Sequence, residues 1–166
     1  MRLRRVIRHL LATHGGTRRR FSAEVLGSIE KAIAAAEARC SGEIRFVVET
    51  SLELSEVWSG LAPRERAVQT FSDLHMWNTE HRNGVLIYVL AADRDVEIVA
   101  DRGAAKLIDQ ADWEGVCRLM EGHFRAGRFA EGSVAGIDAV GRLLATRFPP
   151  PQGVNRDELP NQPALL

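Results

Sequence analysis

The spacing of apolar residues predicts helices at both ends of the chain. Apolar residues recur at helical intervals over residues 3–12 with arginines between them, which predicts a short basic amphipathic helix. Gly15-Gly16 is expected to end this helix, and residues 17–20 to form a solvated linker. Ser22 then caps a helix that extends to about Arg39. Further helices are predicted from Pro63, over residues 104–108, over 112–122 and over 129–148, where Pro149 ends the last one.

Three segments have the composition of β-strands. Residues 43–50 are rich in β-branched and aromatic side chains. Residues 84–90 are apolar on both faces, which is typical of a central strand covered on each side, and residues 96–100 return antiparallel after a tight turn at Asp93-Arg94. A right-handed crossover would join the first two strands in parallel. The order of elements predicts an α/β fold, a three-layer α/β/α sandwich around a small mixed β-sheet.

This topology predicts which polar residues lie together. With the first two strands parallel and the third antiparallel, Glu43, Asn83 and Asp101 are expected at the same edge of the sheet. The loop that carries Asp109 and Asp112 starts from that edge as well. Each residue also has a simple structural role, because Asp112 can cap its helix, Asp101 can end a strand and Glu43 can be solvated.

The net charge of zero conceals an uneven distribution. Residues 1–20 contain seven arginines and no acidic residue, so residues 21–166 carry 15 basic and 22 acidic side chains. A uniformly basic nucleic-acid-binding surface is therefore excluded for the body of the protein. We divide the chain into a basic amphipathic arm (1–20), an α/β domain (21–148) and a Pro-rich extended tail (149–166).

The cysteine content and the absence of long apolar runs favour a cytoplasmic protein. Cys40 and Cys117 are too few and too widely separated for a disulfide scaffold, and we expect small buried side chains in a reducing compartment. No apolar run has the length of a membrane span. Arg8 and His9 interrupt the region where a secretory signal would be uncharged.

Residues 1–20 have three candidate roles. The first is docking on the acidic surface of this domain or of a partner. The second is peripheral contact with anionic lipid through Arg2, Arg4, Arg5 and Arg8. The third, RNA binding, ranks last, because arginines without interleaved aromatic residues attract nucleic acid only nonspecifically, so no specific nucleic acid is expected.

Four segments together resemble the TPM domain family over roughly residues 21–148. They are Ser41-Gly42-Glu43-Ile44, Asn83-Gly84-Val85-Leu86, the hairpin from Asp93 to Ile98 and the segment Phe124-Arg125-Ala126-Gly127-Arg128-Phe129. The resemblance implies an α/β/α sandwich, a divalent-metal site that often takes calcium, and a phosphatase activity reported for some members. The chain is similar to a soluble bacterial branch whose members end in a tail like residues 155–163.

The chain departs from the usual family pattern at three places. It has Ala100-Asp101-Arg102-Gly103 where many members have a Gly-x-Gly. We expect neither the secretory signal nor the C-terminal membrane anchor that are common in the family, and the Pro-rich tail is additional to the family pattern. The first difference questions the role of that loop in shaping a metal or phosphate site.

The expected chemistry is that of hard oxygen ligands. Calcium or magnesium binds carboxylate and amide oxygens, so the predicted metal-ligand set is Glu43, Asn83, Asp101, Asp109 and Asp112. Arg82 and Arg102 could hold phosphate, and Trp77, Asn78 and Thr79 could wall a pocket at the same edge. His75, His81 and His123 are not expected to share a metal, and Asp93-Arg94-Asp95 is interpreted as a hairpin turn.

Two functions follow as hypotheses. In the first, the chain is a TPM-like binding or regulatory module with a divalent-metal site, acting beside a membrane or a protein partner. In the second, it is a metal-dependent acid phosphatase that hydrolyses phosphomonoesters with the metal as Lewis acid and source of hydroxide. No motif for a covalent nucleophile, a Walker A loop or a dinucleotide site is present.

Overall fold

The computed structural model describes residues 2–150 and 158–166, which form eight helices and four strands. In chain order the elements are α1 Arg2–Leu11, α2 His14–Arg20, α3 Ala23–Glu37, β1 Glu43–Glu49, α4 Leu54–Ser59, α5 Pro63–Asp73, β2 Gly84–Leu90, β3 Asp95–Ala100, α6 Arg102–Leu107, α7 Gln110–Arg125, α8 Phe129–Arg147 and β4 Ala164–Leu165. The prediction of an extended tail includes residues 151–157, which lie outside the described residues.

The sheet is mixed, with strand order β3-β2-β1-β4. β1 and β2 are parallel, with Glu43 opposite Gly84 and Glu49 opposite Leu90. β3 returns antiparallel beside β2. These pairings confirm the arrangement expected from the sequence. β4 was not predicted as a strand, and it pairs parallel with the outer edge of β1.

Both faces of the sheet are covered, so the fold is the predicted three-layer sandwich. Alternate residues of β1 and β2, such as Phe46 and Ile87, pack in one core with apolar residues of α3, α7 and α8. The other face, which includes Val47 and Leu86, packs against α4, α5 and the segment around Leu159. Every residue of β1 and β2 is buried, as expected of a central parallel pair.

The expected linker at residues 17–20 is helical. The chain breaks at Ala12 and Thr13 instead, and Gly15-Gly16 lie within the first turn of α2. The Thr13 side chain accepts a hydrogen bond from the backbone N–H of Gly16 at 3.1 Å, which satisfies one of the free amides of the helix start. Thr17 is buried against the body of the protein, so α2 is a packed helix.

Several side chains differ in exposure from their predicted positions. Val68 on α5 and Val134 on α8 recur at the helical spacing of apolar residues, which predicts buried positions, but both are exposed, as is Trp77. Cys40 is buried and Cys117 is half-buried, and burial raises the pKa of both thiols, that of Cys117 to about 12. Both therefore remain neutral thiols at physiological pH. None of the helices in the described part of the chain is long and apolar enough to cross a membrane.

A polar cluster inside the sandwich joins β1, β2 and α5. The Arg66 guanidinium donates to both oxygens of the Glu49 carboxylate, at 2.9 Å and 3.0 Å, and the Tyr88 hydroxyl donates to Glu49 Oε2. Burial and this hydrogen bond raise the pKa of the Tyr88 phenol, and the bond to Glu49 raises the pKa of Arg66. Arg66 thus supplies the countercharge for the Glu49 carboxylate, which would otherwise be buried without one.

Loss of Arg66 is expected to destabilise the fold strongly. Arg66→Met leaves the Glu49 carboxylate buried without its bidentate partner and should lower the free energy of unfolding by about 3 kcal/mol. Arg39 forms a similar pair with Asp138 at 2.8 Å but on the surface. Arg39→Met should therefore cost less than about 1 kcal/mol. Urea denaturation measures both values, and equal losses would contradict a special role for the buried cluster.

Asp95, at the start of β3, is a partly buried carboxylate among like charges. Its Oδ1 atom is buried and has no hydrogen-bond partner among the described residues. Burial, with further repulsion from Glu97, Glu121 and Asp93, raises the pKa of Asp95 to about 6, while Arg5 opposes the shift. Because the folded-state pKa exceeds the unfolded one, ionisation of Asp95 disfavours the folded state.

The free energy of unfolding should consequently fall as pH rises through the pKa of Asp95. Between about pH 4 and pH 6 the folded protein holds a proton that the unfolded chain releases, so the destabilisation grows over this range and is complete above it. Asp95→Asn should stabilise the protein by about 1–2 kcal/mol at pH 7.5 and by much less at pH 4. The measurement is chemical denaturation across pH, with exposed Asp73→Asn as control. A gain that is independent of pH would refute this explanation.

Candidate functional site

The structure places Glu43, Asn83 and Asp101 at one edge of the sheet. Glu43 begins β1, Asn83 directly precedes β2 and Asp101 directly follows β3. Backbone hydrogen bonds tie the three positions together. Asp101 N–H donates to Gly84 O at 2.8 Å, and Glu43 N–H donates to Asn83 O at 3.4 Å. The shared edge expected from the topology is thus observed.

The oxygens at this edge differ in what they bind. Asp101 Oδ1 accepts the N–H of Arg102 at 2.7 Å and caps α6, while its Oδ2 is buried without a hydrogen-bond partner. The Asn83 amide donates to Ser41 O at 2.7 Å, while its Oδ1 is also buried and without a partner. Glu43 Oε2 accepts the N–H of Leu159 at 3.1 Å. Two side-chain oxygens, from Asn83 and Asp101, therefore keep unused acceptor capacity.

The other two aspartates of the predicted set are exposed near the start of α7. Asp109 is the N-cap residue, and its backbone carbonyl accepts the N–H of Asp112 at 3.0 Å. Asp109 therefore holds the cap position expected of Asp112. Within residues 2–150 and 158–166, no three His, Cys, Asp or Glu side chains are grouped so as to hold a metal ion.

A cleft of about 380 Å³ opens at the same edge. Its lining residues are Phe71, Ser72, Trp77, Arg82, Asp101 and Arg102. Both predicted phosphate-binding arginines and the predicted wall residue Trp77 are thus brought together with Asp101. The other two predicted wall residues do not line it. Asn78 is exposed, and buried Thr79 accepts the N–H of Asn83 on its hydroxyl at 3.2 Å.

The cleft is electropositive on the side of its arginines. Neither Arg82 nor Arg102 forms an ion pair within the described part of the chain, and both side chains are exposed. Arg82 has a φ of 50°, a left-handed conformation that costs a non-glycine residue about 1 kcal/mol. Two unpaired guanidinium groups beside one carboxylate can hold an anion with planar oxygen pairs, such as phosphate.

Two glycines allow the backbone to close around this edge. A Cβ on Gly103 would lie 2.6 Å from the carbonyl oxygens of His81 and Arg82, and one on Gly84 would lie 2.4 Å from Met76 O. Gly103 N–H donates to Arg82 O at 2.9 Å, so the Asp101-Arg102-Gly103 segment is held directly against the loop that carries Arg82. Gly103, in the segment that stands where many family members have a Gly-x-Gly, is therefore at a position where a side chain would clash with the backbone.

The segment after residue 157 contributes to the same edge, which the sequence did not indicate. The Glu158 carboxylate accepts the N–H of Glu80 at 2.9 Å, and Arg45 donates to Pro160 O. The contact with Glu80 holds the loop that precedes Asn83, whereas the Arg45 contact and the bond from Leu159 to Glu43 hold this segment on β1. Each joins residues far apart in sequence, so no local pattern could have revealed them.

A second cavity, of about 300 Å³, lies away from this edge, and the sequence did not indicate it either. Aromatic and basic side chains line it, including Phe21, Phe124, Phe129, Arg20 and Arg94. His75 and His123 have different surroundings. The rings of His75 and Trp77 are tilted by 51° with centroids 5.7 Å apart, whereas His123 lies 3.8 Å from Glu131 on α8.

Comparison with solved structures supports both the fold and the family. The BA42 protein from the psychrophilic bacterium Bizionia argentinensis is 34% identical, with a TM-score of 0.77 over 87% of this chain and 94% of that chain. An N-terminal domain from P. gingivalis is 20% identical, with a TM-score of 0.60 over 76% and 78%. The N-terminal domain of cg2496 from Corynebacterium glutamicum is 15% identical, with a TM-score of 0.55 over 74% and 73%. The last two show similarity of fold alone.

The sequence profile of the TPM domain matches residues 18–143. A search of curated proteins found no match. The matched region runs from within α2 into α8 and contains every residue that lines the cleft. The profile spans well over half of the chain, and the chain therefore belongs to the TPM domain family.

Proposed function

We propose that this protein is a binding module that holds a phosphate-bearing ligand, together with a divalent cation, in the cleft at the Asp101 edge. The observation that carries the proposal is the composition of the cleft. Two arginines without ion pairs stand beside a carboxylate whose Oδ2 has no hydrogen-bond partner. A cation at Asp101 and an anion at the arginines would neutralise one another as well as the protein groups.

The oxygens at this edge suit a cation that shares its coordination with the ligand. Asp101 Oδ2, from a residue that lines the cleft, and Asn83 Oδ1, from the buried neighbour of the lining residue Arg82, are hard oxygens without partners among the described residues. They are the atoms that would hold it. Two protein oxygens are too few for a calcium site, which takes six to eight. Magnesium is commonly held by one or two carboxylates, with phosphate oxygens and water completing its shell. The proposal therefore favours magnesium over calcium.

The other lining residues would orient the ligand. The guanidinium groups of Arg82 and Arg102 donate paired N–H groups, which match two oxygens of a phosphate. Trp77 is exposed beside them, so its ring is available to cover the body of a ligand that carries the phosphate. Bound at this site, a divalent cation would supply neutralisation of phosphate charge and polarisation of a phosphoryl oxygen.

The alternative is a metal-dependent phosphatase that acts on phosphomonoesters in the same cleft. It is favoured by Asp101, whose carboxylate lies beside the arginines and is the one titratable acid among the lining residues. The binding module ranks first because Asp101, the one acid among the lining residues, would hold the cation, which leaves no second lining carboxylate to act as a general base.

Asp101→Asn should remove cation binding without loss of the fold. Asparagine caps a helix as well as aspartate does, so α6 is retained while the charge at the cation site is lost. Magnesium affinity, measured by calorimetry in the presence of inorganic phosphate, should fall at least about tenfold. Asp112→Asn is the matched control and should leave the affinity unchanged. Equal weakening by both variants would contradict a site formed by Asn83 and Asp101.

Arg82→Gly should separate stability from binding. Glycine adopts the left-handed conformation of this residue freely, so the variant should keep or raise the free energy of unfolding, by up to about 1 kcal/mol. Affinity for inorganic phosphate should nevertheless fall, by about tenfold or more, because one guanidinium group is lost. Arg94 has a φ of 57° but does not line this cleft. Arg94→Gly should leave phosphate affinity unchanged, and an equal loss there would argue for a nonspecific charge effect.

Turnover distinguishes the two functions. A generic phosphomonoester incubated with the full chain and magnesium should bind without release of phosphate if the chain is a binding module. Release that Asp101→Asn abolishes would establish the phosphatase and overturn our first choice. Absence of both binding and turnover would reject the site for either function.

A further inference from the structure

Helix α1 is attached to the domain with its apolar face pointing outward. Successive residues of a helix are offset by about 100°, which places Leu3, Ile7, Leu10 and Leu11 on one stripe. That stripe is exposed, with 66% of Leu3 and 75% of Leu11 accessible, whereas His9 is buried. A surface helix ordinarily buries its apolar stripe and exposes its charges. Here the face that carries His9 and the half-buried Val6 packs on the protein, and the stripe of Leu3, Ile7, Leu10 and Leu11 is left without a partner among the described residues.

Polar contacts hold α1 in this orientation. The Asp93 carboxylate, in the turn between β2 and β3, accepts hydrogen bonds from Arg5 and Arg8, both at 2.8 Å. Leu52 N–H donates to His9 Nδ1 at 3.1 Å, and His9 Nε2 lies 3.3 Å from Asp93 Oδ2. The outward stripe is thus fixed by bonds to buried groups. The structure shows the first expected role of residues 1–20, docking on this domain, and leaves their apolar stripe free for another partner.

Helix α4 packs against α1 and adds exposed apolar side chains of its own. Leu54 and Trp58 are one turn apart and therefore share a helix face, and 66% of Trp58 is accessible. Val57, between them, is buried in the core. We call the six residues Leu3, Ile7, Leu10, Leu11, Leu54 and Trp58 the outer face.

The exposed charges on α1 beside the outer face are basic. Arg2 and Arg4 are exposed, and neither forms an ion pair within the described residues. No acidic residue occurs in residues 1–20. On α4, the Glu56 side chain is bound to the N–H of Glu53 at 3.0 Å. Pairing of two outer faces between copies of this chain would bring these arginines together, which disfavours self-association.

We infer that the outer face docks on the surface of an anionic membrane. Leucine, isoleucine and tryptophan side chains would enter the boundary between headgroups and acyl chains, while Arg2 and Arg4 contact lipid phosphates. Tryptophan favours this boundary because its ring is apolar and its N–H is polar. Arg5, which was expected to contact lipid, is committed to Asp93, and its side chain is 19% accessible. The inference goes beyond the ligand cleft and does not depend on it.

This mode of docking sets the orientation of the protein. α1 is anchored at Asp93, beyond the end of β2, whereas the cleft is lined by Arg82, before the start of β2. Seven strand residues span roughly 20 Å. The cleft would therefore open on the side of the sheet away from the lipid and remain accessible to a ligand in solution.

Sedimentation with lipid vesicles tests the inference on the untagged full chain. It should bind vesicles of 70% phosphatidylcholine and 30% phosphatidylglycerol, and should bind much less to vesicles of phosphatidylcholine alone, because Arg2 and Arg4 near an anionic surface strengthen binding by about fivefold each. Raising the salt to about 0.5 M should weaken binding by screening. Failure to sediment with the anionic vesicles at millimolar lipid would overturn the inference.

Variants of exposed residues locate the contact. The double variant Leu10→Gln/Leu11→Gln and, separately, Arg2→Gln/Arg4→Gln should each weaken vesicle binding by about tenfold or more. Leu119→Gln on α7 and the double variant Arg118→Gln/Arg142→Gln remove comparable exposed side chains elsewhere and should bind like the wild type. Equal effects of the test and control variants would show a nonspecific interaction and overturn the docking surface.

Two further measurements, of fluorescence quenching and of oligomeric state, test the inference with the wild-type protein. Lipids brominated on the acyl chains should quench tryptophan fluorescence of the wild type, and Trp58→Phe should abolish that quenching while Trp77→Phe should not. Sedimentation equilibrium without lipid should give a monomer. A dimer that Leu10→Gln/Leu11→Gln dissociates, in a protein that does not bind vesicles, would assign the outer face to a second copy of this chain and refute the membrane.

Discussion

The structure depends on the burial of a two-stranded parallel unit. Every residue of β1 and β2 is buried, so both faces of the sheet have to be covered before either strand is stable. α3, α7 and α8 cover one face, and α4 and α5 cover the other. Polar groups inside this sandwich have to find partners there, which is why Glu49, Arg66 and Tyr88 bind one another. Other polar groups are concentrated at the two ends of the strands.

The two ends differ in how completely these groups are satisfied. At the Asp93 end, one carboxylate receives two arginines and a histidine from α1. At the Asp101 end, oxygens of Asp101 and Asn83 have no hydrogen-bond partner among the described residues, and the arginines beside them form no ion pair there. A buried polar atom without a hydrogen-bond partner lowers the stability of the fold, and a bound ligand that supplied the partner would remove this loss. The Asp93 end, where the polar groups are paired, therefore attaches helix α1, while the Asp101 end, where they are not, is suited to a ligand.

The sequence predicted the elements that have strong local patterns. β1, β2 and β3 and their directions follow from strand composition and from the crossover rule, and these directions place Glu43, Asn83 and Asp101 at one edge before any coordinates are known. Local patterns failed where the deciding contact is remote. α2 is stable because Thr13 caps it and Thr17 is buried, which outweighs the glycine pair. β4 is two residues long, too short for a recognisable strand pattern. Arg5 donates a hydrogen bond to Asp93, which is 88 positions away in the sequence.

The same limit applied to the candidate site. Residue type alone indicated hard oxygen ligands and phosphate-binding arginines, and five of these residues, Glu43, Asn83, Asp101, Arg82 and Arg102, do lie at one edge. It could not show that Glu43 binds the backbone of Leu159 or that Asp109 and Asp112 remain exposed away from the cleft. Whether an oxygen is already occupied depends on three-dimensional contacts, and only the structure reveals it.

The contacts of residues 158–165 also bear on the order in which the molecule is assembled. Leu159 binds Glu43 across 116 positions, and β4 completes the edge of β1. Because these contacts close long loops, they cost more chain entropy than contacts within a helix, and the edge of β1 and the loop at Glu80 stay open until they form. The cleft therefore borders contacts of the fold that close late, so the hydrophobic core can form before the loop beside the cleft is secured.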